Sequence, residues 1–237
     1  MKIYKEETRV KSYDVDKNGK LSAVQVFNFL QEAAFRHSVL DRFGQPDLAE
    51  LGMIWVLSRM KVILVEDVQL GESIEITSWV RAIKGALSER DYLLIRDGKV
   101  VVKATSLWAC LSISTVKPSA IPNQIANKMA IHHTEENTKT ASKIKAIDNA
   151  ESSSIYNVRQ SDIDMVNHTN NVAYVRMVLD QFDSIEKIKQ IEINYLLQSF
   201  QGDKLMIQTQ KQDNRTHICE ITNTAKDVVC RLRVHCD

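Results

Sequence analysis

The chain repeats itself, and this repeat restricts its possible folds more than any other feature. Asp14 and Asp16 stand before one apolar helical run, and Asp162 and Asp164 stand before another, with the same offset of 148 residues. A repeat of this length in a chain of 237 residues is typical of a supersecondary unit that occurs twice. We therefore predict two copies of one unit instead of one continuous core.

A second pair of segments extends the repeat. Val68-Gln-Leu-Gly71 precedes one strand-like run and Ser199-Phe-Gln-Gly202 precedes another, now with an offset of 131 residues. The first copy is therefore 17 residues longer between the two pairs of segments. We expect the extra residues to form a loop around 43–54.

Each copy is rich in strand signals and has one helix signal. Runs of Val, Ile and Thr predict strands, and Asp97-Gly98 predicts a hairpin between two of them. The helix of the first copy, about 22–42, is apolar around most of its circumference, so we expect other structure to enclose it. The predicted strands cover residues 54–65, 73–83, 87–95 and 100–116 in the first copy, and 190–197, 204–211, 216–222 and 228–235 in the second.

The pattern predicts an α+β fold of two tandem hot-dog domains, each a long antiparallel sheet wrapped around a central helix. We place the domains at 1–118 and 154–237. Residues 118–154 contain two of the three prolines and a polar run, and within them residues 119–153 are predicted to form a linker.

Charge and hydropathy exclude several classes of function. The chain has 31 Lys and Arg against 30 Asp and Glu, so its net charge gives no attraction to nucleic acid. The longest uncharged run, 104–116, is shorter than the roughly 20 apolar residues of a membrane-spanning helix. The first residues carry charges and lack the apolar run of a secretory signal. We expect a cytoplasmic protein without nucleic-acid or membrane partners.

Cysteine and glycine spacing argues against metals and nucleotide cofactors. The four cysteines show no CxxC pair, so we expect them to be reduced and packed in strands. The seven glycines form neither GxGxxG nor a P-loop nor a GxSxG elbow. We predict no metal and no cofactor.

The two copies differ most just before their helices. The second copy has Asp164, His168, Asn170 and Asn171 there, whereas Lys20 takes the place of His168 in the first copy. Carboxylate, imidazole and amide groups beside a helix N-terminus can activate water and bind a developing oxyanion. On spacing alone, capping of the turn and the helix is the favoured alternative.

Large apolar residues in the first copy have two interpretations. They can belong to the core, or they can line a pocket for an extended acyl chain. Phe29 and Trp55 are our candidates for contact with such a substrate, in a first copy whose own site is degenerate.

The segment Arg159-Gln-Ser-Asp-Ile-Asp-Met-Val-Asn-His-Thr-Asn-Asn-Val-Ala-Tyr174 follows this degenerate first copy and resembles the acyl-acyl carrier protein (acyl-ACP) thioesterases of bacteria and plant plastids. The strand 191–195, which leads to Gly202-Asp203, extends the resemblance. The resemblance implies hydrolysis of a fatty acyl-ACP thioester in fatty acid biosynthesis, with acyl carrier protein as partner. The alternatives are an acyl-CoA thioesterase and a non-catalytic acyl-binding module. We expect a monomer with an internal pseudo-dimer, or a homodimer.

This sequence departs from the family pattern at two positions. Val166 stands where plant members have asparagine, and Asn167 is the nearest amide. Gln198 stands where members have an acid, and glutamine cannot act as a general base. The resemblance therefore assigns Asp164 as base or orienting acid, His168 as polarising or proton-shuttling group, and Gln198 as water-positioning group.

Overall fold

A computed structural model describes residues 2–134, 138–182 and 188–237. It divides into two compact units, Met1–Thr140 and Ala141–Asp237. Among the described residues, no helix is both long and apolar enough to span a bilayer.

The first unit is an antiparallel sheet with one long helix. Its strand order is β1-β3-β4-β5-β2. The predicted hairpin joins β4 and β5, where Asp97 and Gly98 both have positive φ, as a type I′ turn requires. The elements are β1 (Tyr4–Arg9), α1 (Ala23–Leu40), α2 (Gln45–Ala49), β2 (Met53–Leu64), β3 (Ser73–Lys84), β4 (Leu87–Arg96), β5 (Lys99–Ser112) and α3 (Asn123–Ala126).

The second unit repeats this topology. Its strand order, β6-β8-β9-β10-β7, matches that of the first unit strand for strand, and all pairs are antiparallel. The elements are β6 (Ser152–Asn157), a 3₁₀ turn (Gln160–Asp162), α4 (Asn171–Leu179), β7 (Ile188–Tyr195), β8 (Lys204–Asp213), β9 (Thr216–Thr222) and β10 (Val228–Cys236). The prediction of a tandem repeat is confirmed.

Helix α1 packs on its sheet through one face. Ser22 caps the helix, its hydroxyl accepting a hydrogen bond from Gln25 N at 3.1 Å. The buried positions recur every three to four residues, whereas Phe35 and Leu40 on the other side are exposed. The prediction of a helix enclosed on all sides is therefore wrong, because one face suffices to cover the sheet. The buried residues are Val26, Phe27, Leu30, Ala33, Ala34 and His37.

The extra residues of the first copy form a short helix, α2, and not only a loop. Leu48 of α2 is fully buried in a small apolar cluster. Trp55 packs against this cluster, and its indole N–H donates to the Phe43 carbonyl at 2.9 Å. The other buried members are Phe43, Val80, Cys110, Ile121, Ile125 and Met129.

The predicted linker, 119–153, is divided between the units. Ile125 and Met129 are buried in the first unit, and Arg81 donates to the Thr138 carbonyl at 2.6 Å. Beyond the boundary, Ile144 N donates to the Asn194 side chain in the second unit at 2.8 Å. Both ends of the predicted linker are fixed in place, because their apolar side chains and backbone groups contact the adjacent sheet. Residues 135–137 lie outside the described part of the chain.

All four cysteines are free thiols buried in strands. Burial raises the pKa of the Cys219 thiol to about 12 and that of Cys110 and Cys230 above its usual range. Since the thiolate is the reactive form, we expect native protein at pH 8 to react slowly with a disulfide reagent. Unfolding should release four equivalents in the same spectrophotometric titration. Rapid reaction of the native chain would contradict this burial.

Candidate active site

A tight turn presents His168 just before helix α4. Asp164 Oδ1 accepts hydrogen bonds from Val166 N at 3.0 Å and His168 N at 3.1 Å. The backbone closes the turn with a bond from Asp164 N to the His168 carbonyl at 2.8 Å. Asn167 has φ +63°, a left-handed conformation that asparagine tolerates better than most residues. The Asp164 carboxylate therefore fixes the backbone that carries His168.

The first unit contains the same turn. Asp16 Oδ1 accepts from Asn18 N at 2.8 Å and Lys20 N at 3.1 Å. Gly19, with φ +75°, takes the left-handed position of Asn167. A carboxylate with the same two bonds thus serves a turn that has Lys20 in place of the histidine. The structure therefore shows that Asp164 caps the turn, whereas its role in proton transfer stays a prediction.

The His168 ring lies against the segment that follows β7. It contacts Phe200 edge to face, with ring centroids 5.4 Å apart. The next residue, Thr169, donates its N–H to the Ser199 carbonyl at 2.9 Å. The segment that carries the exposed Gln198 therefore runs beside His168. Among the described residues, no hydrogen bond links Gln198 to His168.

Three buried hydroxyl groups hold this segment in place. Ser199 Oγ lies 2.8 Å from Thr169 Oγ1 and 2.8 Å from the Tyr174 hydroxyl, which also accepts the Ser199 N–H. Burial raises the pKa of Tyr174, so it remains a neutral hydrogen-bonding group. The sequence motif did not identify this network, although Ser199 stands next to the predicted Gln198. The network ties the turn, helix α4 and the 198–200 segment together.

The two asparagines at the start of α4 have different functions. Asn170 caps the helix, with Oδ1 accepting from Val172 N at 2.8 Å. The Asn171 carbonyl accepts from the Tyr195 hydroxyl at 3.2 Å. In the described structure the Asn171 N–H has no hydrogen-bond partner, as is common for the first N–H groups of a helix.

Exposed apolar side chains form an apolar rim on the turn that carries His168 and on the segment after β7. Met165 is 88% exposed, and Val166 beside it and Phe200 across from it are about half exposed. Leu196 and Leu197 add to this rim on the same segment as Gln198. Val166, where plant members have asparagine, thus contributes apolar surface and no hydrogen-bonding group.

Phe29 and Trp55, the predicted substrate-binding residues of the first unit, occupy different surroundings. Phe29 lines a cavity of about 350 Å³ whose other walls are mostly polar or charged. Trp55 belongs to the apolar cluster around α2. Contact of either residue with an acyl chain stays a prediction. Within the described ranges, no three His, Cys, Asp or Glu side chains are grouped to hold a metal ion.

Comparison with known families identifies both halves of the chain. The model of the acyl-ACP thioesterase N-terminal domain matches residues 1–129, and that of the C-terminal domain matches residues 144–234. The chain is 26% identical over 192 residues to a chloroplastic palmitoyl-acyl carrier protein thioesterase of Cuphea hookeriana, covering 75% of this chain and 46% of the relative. It is 26% identical over 250 residues to an Arabidopsis thaliana counterpart, covering 97% and 59%. The chain spans about half the length of these curated relatives.

Solved structures show the same fold. An acyl-ACP thioesterase from Bacteroides thetaiotaomicron superposes with a TM-score of 0.90 at 27% identity, covering 99% of this chain and 97% of the other. The 12:0-ACP thioesterase from Umbellularia californica gives a TM-score of 0.89 at 20% identity, again covering 99% and 97%. The prediction of tandem hot-dog domains is confirmed by these neighbours.

Proposed function

The chain belongs to the acyl-ACP thioesterase family, and we propose that it hydrolyses a fatty acyl-ACP thioester to a free fatty acid. The observation that carries this proposal is the duplicated turn. Both units build it with the same carboxylate bonds, but only the second places an imidazole, His168, at its end. The second unit therefore carries the chemistry.

The geometry supports a division of roles around the thioester carbonyl. The Asn171 N–H at the start of α4 receives the oxyanion that forms when water attacks the carbonyl carbon. His168 takes the proton from that water and returns it to the departing thiolate. Gln198 orients the water, and Asp164 holds His168 in place through its backbone N–H. The products are a fatty acid and the thiol of the carrier.

Two further functions fit the same fold. An acyl-CoA thioesterase would use the same residues, since both substrates present a phosphopantetheine thioester. A non-catalytic acyl-binding module is favoured by Val166 and Gln198, which replace polar or acidic groups of the family. A thiol-release assay with acyl-ACP and acyl-CoA of matched chain length separates the three. Faster release from acyl-ACP supports our proposal, faster release from acyl-CoA supports the first alternative, and binding without turnover supports the second.

Variants of Asp164 and of its counterpart Asp16 test the structural role of the turn separately from its catalytic role. Asp164→Ala and Asp16→Ala each remove two hydrogen bonds to a carboxylate, and we expect each to lower the free energy of unfolding by about 1–3 kcal/mol. Only Asp164→Ala should also lower kcat, because it releases the backbone of His168. Asp164→Asn keeps an acceptor oxygen and should retain most activity. Loss of activity in a stably folded Asp164→Asn would instead make Asp164 the proton acceptor.

Gln198→Glu tests whether an acid at position 198, where family members have one, raises activity. Asp164 Oδ1 accepts two backbone N–H groups of the turn, whereas a carboxylate at position 198 would be an acid beside His168 that is not part of the turn. We expect kcat on acyl-ACP to rise about tenfold, a part of the range for general-base catalysis. Gln198→Met, similar in size and without charge, should lower kcat. An unchanged or reduced kcat for Gln198→Glu would assign the base to another residue.

A further inference from the structure

A buried carboxylate in the first unit lacks a partner. Asp14 is 2% exposed, and its Oδ2 accepts the Lys11 N–H at 2.8 Å. Its Oδ1 is also buried, and no hydrogen bond reaches it within the described part of the chain. Burial of an unsatisfied carboxylate oxygen is costly, so this oxygen is suited to a donor that comes from outside.

In the second unit, the equivalent carboxylate has such a donor. Asp162 is the counterpart of Asp14 at the offset of 148 residues, and its Oδ2 likewise accepts a backbone N–H, from Arg159 at 2.7 Å. The Tyr156 hydroxyl donates to the same oxygen at 2.9 Å. Oδ1 binds the guanidinium of Arg176 on helix α4. With Oδ2 oriented alike in both units, Asp14 Oδ1 faces the position equivalent to Arg176.

That position is occupied by a smaller side chain and a cavity. At the same offset, Asn28 replaces Arg176 and Thr8 replaces Tyr156. Both line the cavity of about 350 Å³ beside helix α1. The Asn28 amide donates to the Gln25 side chain at 2.9 Å and not to Asp14. The cavity therefore adjoins the two positions at which the second unit has its arginine and tyrosine, although Asp14 itself does not line it.

The charged side chains that line the cavity balance one another. Glu6 and Glu32 line it, and Arg36 pairs with both of them. The Lys11 ammonium lies over the Tyr13 ring, 5.6 Å from its centroid. Lys11 interacts electrostatically with Asp14, but neither basic side chain is hydrogen-bonded to it, so Asp14 Oδ1 still lacks a donor.

We propose that this cavity binds a guanidinium or primary ammonium group whose N–H donates to Asp14 Oδ1, as Arg176 does for Asp162. The group belongs either to a small molecule or to a side chain of a protein. Oδ1 is covered by neighbouring atoms, so a ligand reaches it only after adjacent side chains move, and exposed side chains such as Asn28 change rotamer within nanoseconds. The site is independent of thioester hydrolysis.

The backbone amide of Lys11 reports on the site directly. Methylguanidinium is titrated into the ¹⁵N-labelled full chain at constant ionic strength, and amide shifts are followed by NMR. We expect a saturable shift of the Lys11 amide with a dissociation constant of about 1 mM, typical for so small a ligand. The Arg159 amide is the internal control, since Arg176 already occupies its carboxylate. Tetramethylammonium, which has the charge without donors, should shift neither. An unresponsive Lys11 amide would overturn the proposal.

Two variants test the assignment to Asp14. Asp14→Asn keeps an acceptor for the Lys11 N–H but loses the charge, and we expect binding at least tenfold weaker. Asn28→Arg supplies the guanidinium from the chain itself, as in the second unit. It should abolish the methylguanidinium response and raise the Tm by about 3 °C or more, because it adds a charge-assisted hydrogen bond. Unaltered binding by Asp14→Asn, or a lower Tm for Asn28→Arg, would contradict the site.

The source of the group is decided with a Gly-Arg-Gly peptide. Tighter binding of the peptide than of methylguanidinium would indicate an arginine side chain of a protein. Exclusion of the peptide while methylguanidinium binds would indicate a small molecule.

Discussion

His168→Ala is expected to lower kcat/KM on acyl-ACP by about 10²–10⁴-fold, the usual effect of losing a general acid–base group. The loss should appear in kcat, because the role proposed for the imidazole is proton transfer and the apolar rim remains in place. The fold should be unaffected, since the turn is held by Asp164 and the backbone. Steady-state kinetics of thiol release, together with a thermal unfolding curve, measure both effects.

Lys20→Ala is the matched control. Lys20 ends the equivalent turn of the first unit and forms an ion pair with Asp67 at 2.6 Å. An exposed pair of this kind contributes little to stability, and we expect single-turnover hydrolysis at the wild-type rate. Wild-type activity of folded His168→Ala, or collapse of hydrolysis in Lys20→Ala, would show that the assignment of one active unit is wrong.

Leu30→Ala is expected to lower the free energy of unfolding by about 3–5 kcal/mol, as for other fully buried leucines. Leu30 is wholly buried at the centre of α1, between Phe27 and Ala34 on its packed face. Alanine would leave a cavity that the rigid sheet cannot close. Urea unfolding followed by circular dichroism gives the change.

Leu40→Ala is the control for Leu30→Ala. Leu40 is the last residue of the same helix and is 61% exposed, so its truncation should change stability by less than about 0.5 kcal/mol. Equal losses in the two variants would show that α1 does not pack as the structure describes.

The repeat explains why so much of the architecture could be predicted. Strand signals, the Asp97-Gly98 hairpin and the duplicated turn are local, since each depends on residues within one element. The burial of Ile121, Ile125 and Met129 in the first unit depends on a tertiary surface that no local pattern describes. The extent of α1 burial likewise follows from the width of the sheet it covers.

The sequence motif of the site could be predicted, but the hydrogen-bond network that holds the site in place could not. Asp164, His168 and Asn170 lie within seven residues and act on adjacent backbone groups, so their spacing is informative. The Thr169–Ser199–Tyr174 network joins residues up to 30 positions apart, and hydroxyl groups carry no distinctive sequence pattern. The missing partner of Asp14 is a difference between the two units, since Asp162 Oδ1 binds Arg176 and Asp14 Oδ1 has no bond, and no local pattern in the sequence indicates it.

The duplicated turn makes the residue at its end replaceable. In both units the loop is held by one aspartate oxygen and by main-chain bonds, none of which uses the side chain at position 20 or 168. Lysine in one unit and histidine in the other are therefore carried by the same scaffold. Mutation can change the side chain at this position without disrupting the fold. The residue in one copy can therefore vary while the residue in the other copy is retained. A duplicated fold of this kind offers a protected position for evolving new chemistry.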